Sequence, residues 1–373
     1  MKKWGLLLIL LLSLLPRTAF AAETADAICI EGETEGLDTD AVDAAAEEMD
    51  AAVSFSDLLA EILSGEFDFT FANIREKASE LMFGELRMQG RLLAQLVLIV
   101  ILSAILKQCS DSFQGKNVGE MGFYVCYMVL IVAILTSFYS ISQSVVERMR
   151  GLCGVFGAMV PIFLVLSASS GNLAQGALMG PTLMGGATAL SVGISYVLIP
   201  AIQLSIALEM ADHISEKPIL GKFAELLRQC ISWGMKGAAM LFMLLLSLQK
   251  IGGGALNGLA AKTAKIVVGA VPVVGGVMGG AVETAAAMAG TLKSGTLVAA
   301  VVLLLLLCLP LLIKLLVILL VFRLTAAAAE FICEERLVEC IAAAGEYIGL
   351  LLGIVFLGEG MFFFSALLLL GGL

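Results

Sequence analysis

Apolar residues in this chain gather into long runs, and charged residues are confined to the short stretches between them. The first run, Trp4–Leu15, follows Lys2 and Lys3 and is closed by Pro16. Its 12 residues are too few for a hydrocarbon core of ~30 Å, which takes ~20 residues of helix. Ala19-Phe20-Ala21 places small residues at the −3 and −1 positions, so the pattern predicts a secretory signal peptide over residues 1–21. Residues 22–50 hold no aromatic residue and are rich in Ala, Glu, Asp and Thr, a composition that predicts a flexible stretch. From Ser54 the spacing becomes helical: Phe55, Leu58, Leu59, Ile62 and Leu63 share one face before Gly65. Phe71, Ile74, Ala78, Leu81 and Met82 repeat the pattern. Residues 22–86 therefore read as an exported segment with two short amphipathic helices. These are too small for a core of their own and are expected to pack on each other, a partner or the membrane surface.

Beyond residue 86 the runs are long enough for membrane helices: Leu92–Leu106, Gly122–Ile141, Leu152–Ser169, Leu173–Leu208, Ile231–Leu248, Thr296–Phe322 and Glu346–Leu370. The fold class expected is all-α, a polytopic helical membrane domain over residues 87–373 with about seven segments, because a lone span must satisfy its backbone internally. Leu173–Leu208 fits one tilted helix or two short segments meeting near Gly185-Gly186 or Gly193. Residues 142–151 and 209–230 read as loops, and charge bias does not choose between the two topologies. Residues 213–230 and 325–345 read as interfacial amphipathic helices.

Composition agrees with this picture: 60% of the 373 residues are hydrophobic and 14% charged. A soluble domain runs near 45–50% apolar and ~25% charged. That excludes an ordinary cytosolic enzyme and a nucleic-acid binder. The net charge of −10 is unevenly placed. Residues 23–85 hold 18 acids against Arg75 and Lys77, whereas residues 86–373 hold 17 bases and 14 acids.

Residues 252–295 carry 11 of the 39 glycines. Gly275/Gly279 and Gly276/Gly280 form two overlapping small-xxx-small pairs, a flat stripe against which another backbone can approach. Pro272 would break or kink a helix there. Residues 266–290 thus suit a re-entrant or buried segment rather than a lipid-facing one.

The run from Lys262 through Pro272-Val-Val-Gly-Gly276, the following Glu283-Thr284, and Pro310-Leu-Leu-Ile-Lys314 resemble the stage III sporulation protein AE family of endospore-forming bacteria. The resemblance extends over about residues 55–373. It implies a non-enzymatic subunit of a channel or secretion-like complex between mother cell and forespore that supports late forespore gene expression. The location implied is the mother-cell membrane around the forespore, with the N-terminal segment outside the cytoplasm. The partners implied are other membrane subunits, a cytoplasmic ATPase and ring proteins of the intermembrane space.

Candidate chemistry is sparse. His213 is the only histidine and stands beside Asp212 and Glu209. A polar helix end is the expected reading, and no metal or other cofactor is expected, since no second histidine exists. Lys262-Thr263 follows Ala261, so no phosphate-binding loop forms and no nucleotide hydrolysis is expected. The eight cysteines contain no C-x-x-C pair and read as apolar fillers. Intramembrane charge gives the clearest site signal: Lys236, Lys314 and Glu359, each costly against lipid, with a lysine expected to pair with Glu359. The expected site residues are therefore these three together with Pro272, Gly275, Gly276, Gly279, Gly280 and Glu283 for helix packing or path lining. A self-contained secondary transporter of a small solute is the alternative; Pro161, Pro272 and Pro310 would break its helices. No catalytic nucleophile–base pair is evident.

Overall fold

A computed structural model describes residues 39–51, 53–64, 82–112, 116–169, 173–214, 220–244 and 275–371. Among these residues the regular structure is helical, with no strand. The elements are α1 (Asp40–Glu47), α2 (Phe55–Ser64), α3 (Met82–Met88), α4 (Gly90–Ser112), α5 (Lys116–Ser169), α6 (Leu173–Gly193), α7 (Ile199–Ile214), α8 (221–244), α9 (Gly275–Ala329) and α10 (Glu335–Gly371). A π-helical turn, Ile194–Leu198, joins α6 to α7 without a break.

Two apolar runs that the sequence separates are one helix. Residues 142–151 form no loop; they lie in the middle of α5, whose 54 residues extend about 80 Å at 1.5 Å per residue. The charged triplet Glu147, Arg148 and Arg150 interrupts the hydropathy but not the helical face, because Val145, Met149 and Leu152 stay buried on one side. Ser142 adds no orphan hydroxyl, since its Oγ donates to the Phe138 carbonyl at 2.8 Å. Pro161 lies within the helix rather than ending it. Leu173–Leu208 likewise forms one continuous helical path.

Among the described residues, four helical stretches are long and apolar enough to cross a membrane: Tyr124–Leu166, Met184–His213, Gly295–Ala329 and Glu335–Ala366. The α3–α4 pair, bent by 47°, brings the number to five if it counts as one span. Ile231–Leu248 is described only as far as residue 244, in α8.

Both expected interfacial helices are corrected. Residues 325–345 comprise the end of α9, a turn at 330–334 and the start of α10. Residues 213–230 divide between the end of α7 and the start of α8, with 215–219 outside the described residues.

The core is built around α10, which packs against α9, α5, α6 and α7. α9 and α10 run antiparallel: a Cβ at Gly345 would touch Phe322, and one at Gly349 would touch Leu319. α5 and α10 run parallel, with Phe138 meeting Tyr347 edge-on at 6.5 Å and Phe156 meeting Phe362 at 5.8 Å. α6 returns antiparallel along α5, bringing Thr188 beside Cys153 at 3.7 Å. Large apolar side chains on the outer faces of α4 and α5, including Leu98, Ile101, Met121, Val125 and Val132, remain exposed, as a lipid-facing surface requires.

The N-terminal segment is more ordered than its composition predicts. Residues 40–47 are helical in α1, and α2 forms where the spacing places it. The Asp43 carboxylate accepts from the backbone N–H groups of Phe55 and Ser56, capping the first turn of α2. Val42, Ala46, Phe55, Leu58 and Leu59 are then buried against the membrane body rather than against each other alone, so a stretch too small for its own core borrows one. The expected signal peptide, residues 22–38 and the second amphipathic pattern at 71–81 lie outside the described residues.

Candidate functional site

Three polar arrangements stand out in an otherwise apolar bundle. The first locks α7, α8 and α10 together. Arg228 on α8 donates through Nη1 to Glu346 Oε2 at 2.6 Å and through Nη2 to Glu209 Oε2 at 3.1 Å. Its guanidinium also lies 4.7 Å from the ring centroid of Tyr347. A planar fork can serve two carboxylates on two helices while stacking on an aromatic face, which a lysine ammonium cannot. The Tyr347 hydroxyl donates to Glu209 Oε2 at 2.5 Å and shares a 2.8 Å hydrogen bond with Ser205 Oγ. Ser205 in turn bonds the Ala224 carbonyl at 3.1 Å. Burial works against the Arg228 charge, but the Glu209 carboxylate, with Glu346 further out, outweighs it and holds the guanidinium above its ordinary range.

His213 closes the edge of this lattice. Its Nδ1 lies 2.7 Å from the Glu209 carbonyl, and its Nε2 lies 4.0 Å from Glu339. Asp212 accepts from the Leu220 N–H at 2.7 Å. Among the described residues no group of three or more His, Cys, Asp and Glu could hold a metal ion.

The second arrangement docks the N-terminal helices. Arg148, midway along α5, donates through Nη1 to the Met49 carbonyl at 2.7 Å. Met49 itself lies over Gly151, where a Cβ would come within 2.7 Å of its Cγ. Leu63 covers Gly295 on α9 in the same way, at 2.7 Å. Two glycines thus supply the flat places that α1 and α2 need.

The third is Glu359, buried on α10 with both carboxylate oxygens free of hydrogen bonds among the described residues. The expected lysine partners do not reach it. Lys236 is exposed on α8, Lys314 is half-buried on α9, and no ion pair joins either to Glu359 among the described residues. Arg148 is the cation whose charge reaches Glu359. Gly275, Gly276, Gly279, Gly280 and Glu283 lie in the first turns of α9, and Pro272 lies outside the described residues.

Residues 53–372 match the sequence model of the stage III sporulation protein AE family. This chain belongs to that family. A stage III sporulation protein AE relative from Bacillus subtilis (strain 168) is 26% identical over 227 residues, which cover 61% of this chain and 57% of that relative. The chain thus spans little more than half the length of the curated relative it matches. No solved structure matches. The matched region takes in α2 as well as the helical body, whereas α1 precedes it. The Arg228 lattice was not foreseen from the sequence. Its only signal was the recurrence of charge at the ends of three apolar runs, at Glu209, Arg228 and Glu346.

Proposed function

We propose that this protein is a non-enzymatic, multi-pass subunit of a channel or secretion-like complex that joins mother cell and forespore and supports late forespore gene expression. The observation that carries the reading is the family match across residues 53–372, nearly the whole of the helical body. The mother-cell membrane around the forespore is the proposed location, with α1 and α2 on its outer side. Other membrane subunits are the proposed direct partners, and a cytoplasmic ATPase and intermembrane ring proteins the more distant ones.

The polar groups support a structural rather than a catalytic role. Tyr347, Ser205, Arg228 and Glu209 spend hydrogen bonds on one another and on backbone, and none of the four is a nucleophile poised against a base. The glycines at the start of α9 are the proposed packing or path-lining stripe, where a second helix approaches closely. Gly276→Leu and Gly279→Leu are expected to stop assembly or spore maturation while export of the N-terminal segment continues. Normal sporulation by both variants would overturn the reading, as would transport of a small solute by the purified protein alone in liposomes.

A further inference from the structure

Glu359 lies on α10 next in the chain to the point where that helix meets α5 and the π-helical turn between α6 and α7, and it is only 4% exposed. Its chain neighbour Gly358 fixes this crossing. A Cβ at Gly358 would meet the side-chain ends Met149 Sδ at 2.9 Å and Ile194 Cδ1 at 3.0 Å, so side chains of α5 and of the π-helical turn fill the space against that position. Neither carboxylate oxygen has a hydrogen-bond partner among the described residues. Ser195, on the same π-helical turn, is also buried with its hydroxyl unpartnered among those residues. Turns of this kind inside α-helices recur at functional sites.

Among the described residues no ion pair is made to Glu359. On α5, Arg148 is the cation whose charge reaches it, but the guanidinium is engaged by the Met49 carbonyl at 2.7 Å. On α9, the Cys308 thiol is the titratable group that the Glu359 charge reaches. On the π-helical turn, Tyr196 is exposed and accepts a hydrogen bond from Arg150 at 3.2 Å. A carboxylate cut off from water and from a paired cation is strongly disfavoured unless something neutralises it.

We propose that Glu359 is the carboxylate of a binding site for a small monovalent cation, a proton or an alkali ion, inside the helix bundle. The docked N-terminal helices contribute indirectly: the Met49 carbonyl holds the Arg148 guanidinium, and among the described residues no ion pair joins it to Glu359. The inference stands on the bundle geometry and is independent of the sporulation role.

The test uses the full chain in lipid nanodiscs with ¹³C-labelled glutamate carboxyls, followed by infrared spectroscopy. One titration varies pH at constant sodium; the other varies sodium at constant pH. The expected result is a carboxyl band that responds to one of the two in the native protein and is missing in Glu359→Gln. Response to pH alone identifies the proton, and response to sodium at constant pH identifies the alkali ion. Identical titrations for native protein and Glu359→Gln would overturn the proposal. Should Glu359→Gln fail to insert, Glu359→Asp, whose carboxyl is unlabelled, is expected to remove the responsive ¹³C band, and a retained band would equally overturn it.

Discussion

Arg228 and Glu346, 118 residues apart in the chain, meet at 2.6 Å and tie α8 to α10. The same guanidinium holds Glu209 on α7, so one side chain fastens three helices. Removing it leaves two carboxylates facing each other across the gap. Arg228→Ala is expected to cost about 2 kcal/mol, below the loss for a fully buried pair because this one is partly wet. Arg228→Lys is expected to recover less than half of that, because an ammonium lacks the fork. Thermal unfolding in nanodiscs checks both, and an unchanged midpoint for Arg228→Ala would show the lattice to be incidental.

Tyr347 and Ser205 form the buried half of the lattice. Tyr347→Phe removes the donor to Glu209 and the partner of Ser205, with an expected loss of about 1–3 kcal/mol. Ser205→Ala is expected to cost less, and the double variant less than the sum of the two. Strict additivity in a double-mutant cycle would deny that the two hydroxyls act together.

Docking of the N-terminal helices depends on the absence of a side chain at position 151. Gly151→Leu drives into Met49 and is expected to release residues 40–64 from α5, with an overpacking penalty of about 1–3 kcal/mol. Gly154, three residues on, faces open space, so Gly154→Ala is expected to leave the docked state intact. Limited proteolysis of the N-terminal segment distinguishes them. Equal protection of both variants would contradict the docking described.

Arg148→Gln tests the polar half of that contact. An amide can still donate to the Met49 carbonyl, though without charge, whereas Arg148→Leu leaves the carbonyl without this donor. The expected order of protection against protease is native, then Gln, then Leu. The reverse order would mean that apolar contact at Met49 alone holds the segment.

The helical fold was legible because apolar residues recur at helical spacing in runs too long for any other membrane element. The extent of individual helices was less so. Hydropathy reads Glu147, Arg148 and Arg150 as a break, while the backbone reads Val145, Met149 and Leu152 as an unbroken buried face. Composition likewise marked residues 40–50 as flexible, because it does not record that α5 offers a glycine for Met49 to rest on. Glu359 was visible as an intramembrane charge, but its surroundings were not. The Tyr347–Glu209 bond spans 138 residues, and no local pattern announces a contact of that range. The π-helical turn beside Glu359 left no mark in the sequence.

The central claim is best tested in a sporulating host whose copy of this protein can be depleted once engulfment begins, with a reporter of late forespore transcription. The expected result is that engulfment completes, the reporter stays silent, and heat-resistant spores are lost until the native protein, but not Gly276→Leu, is supplied. A fully active reporter and a normal yield of spores in depleted cells would contradict the account.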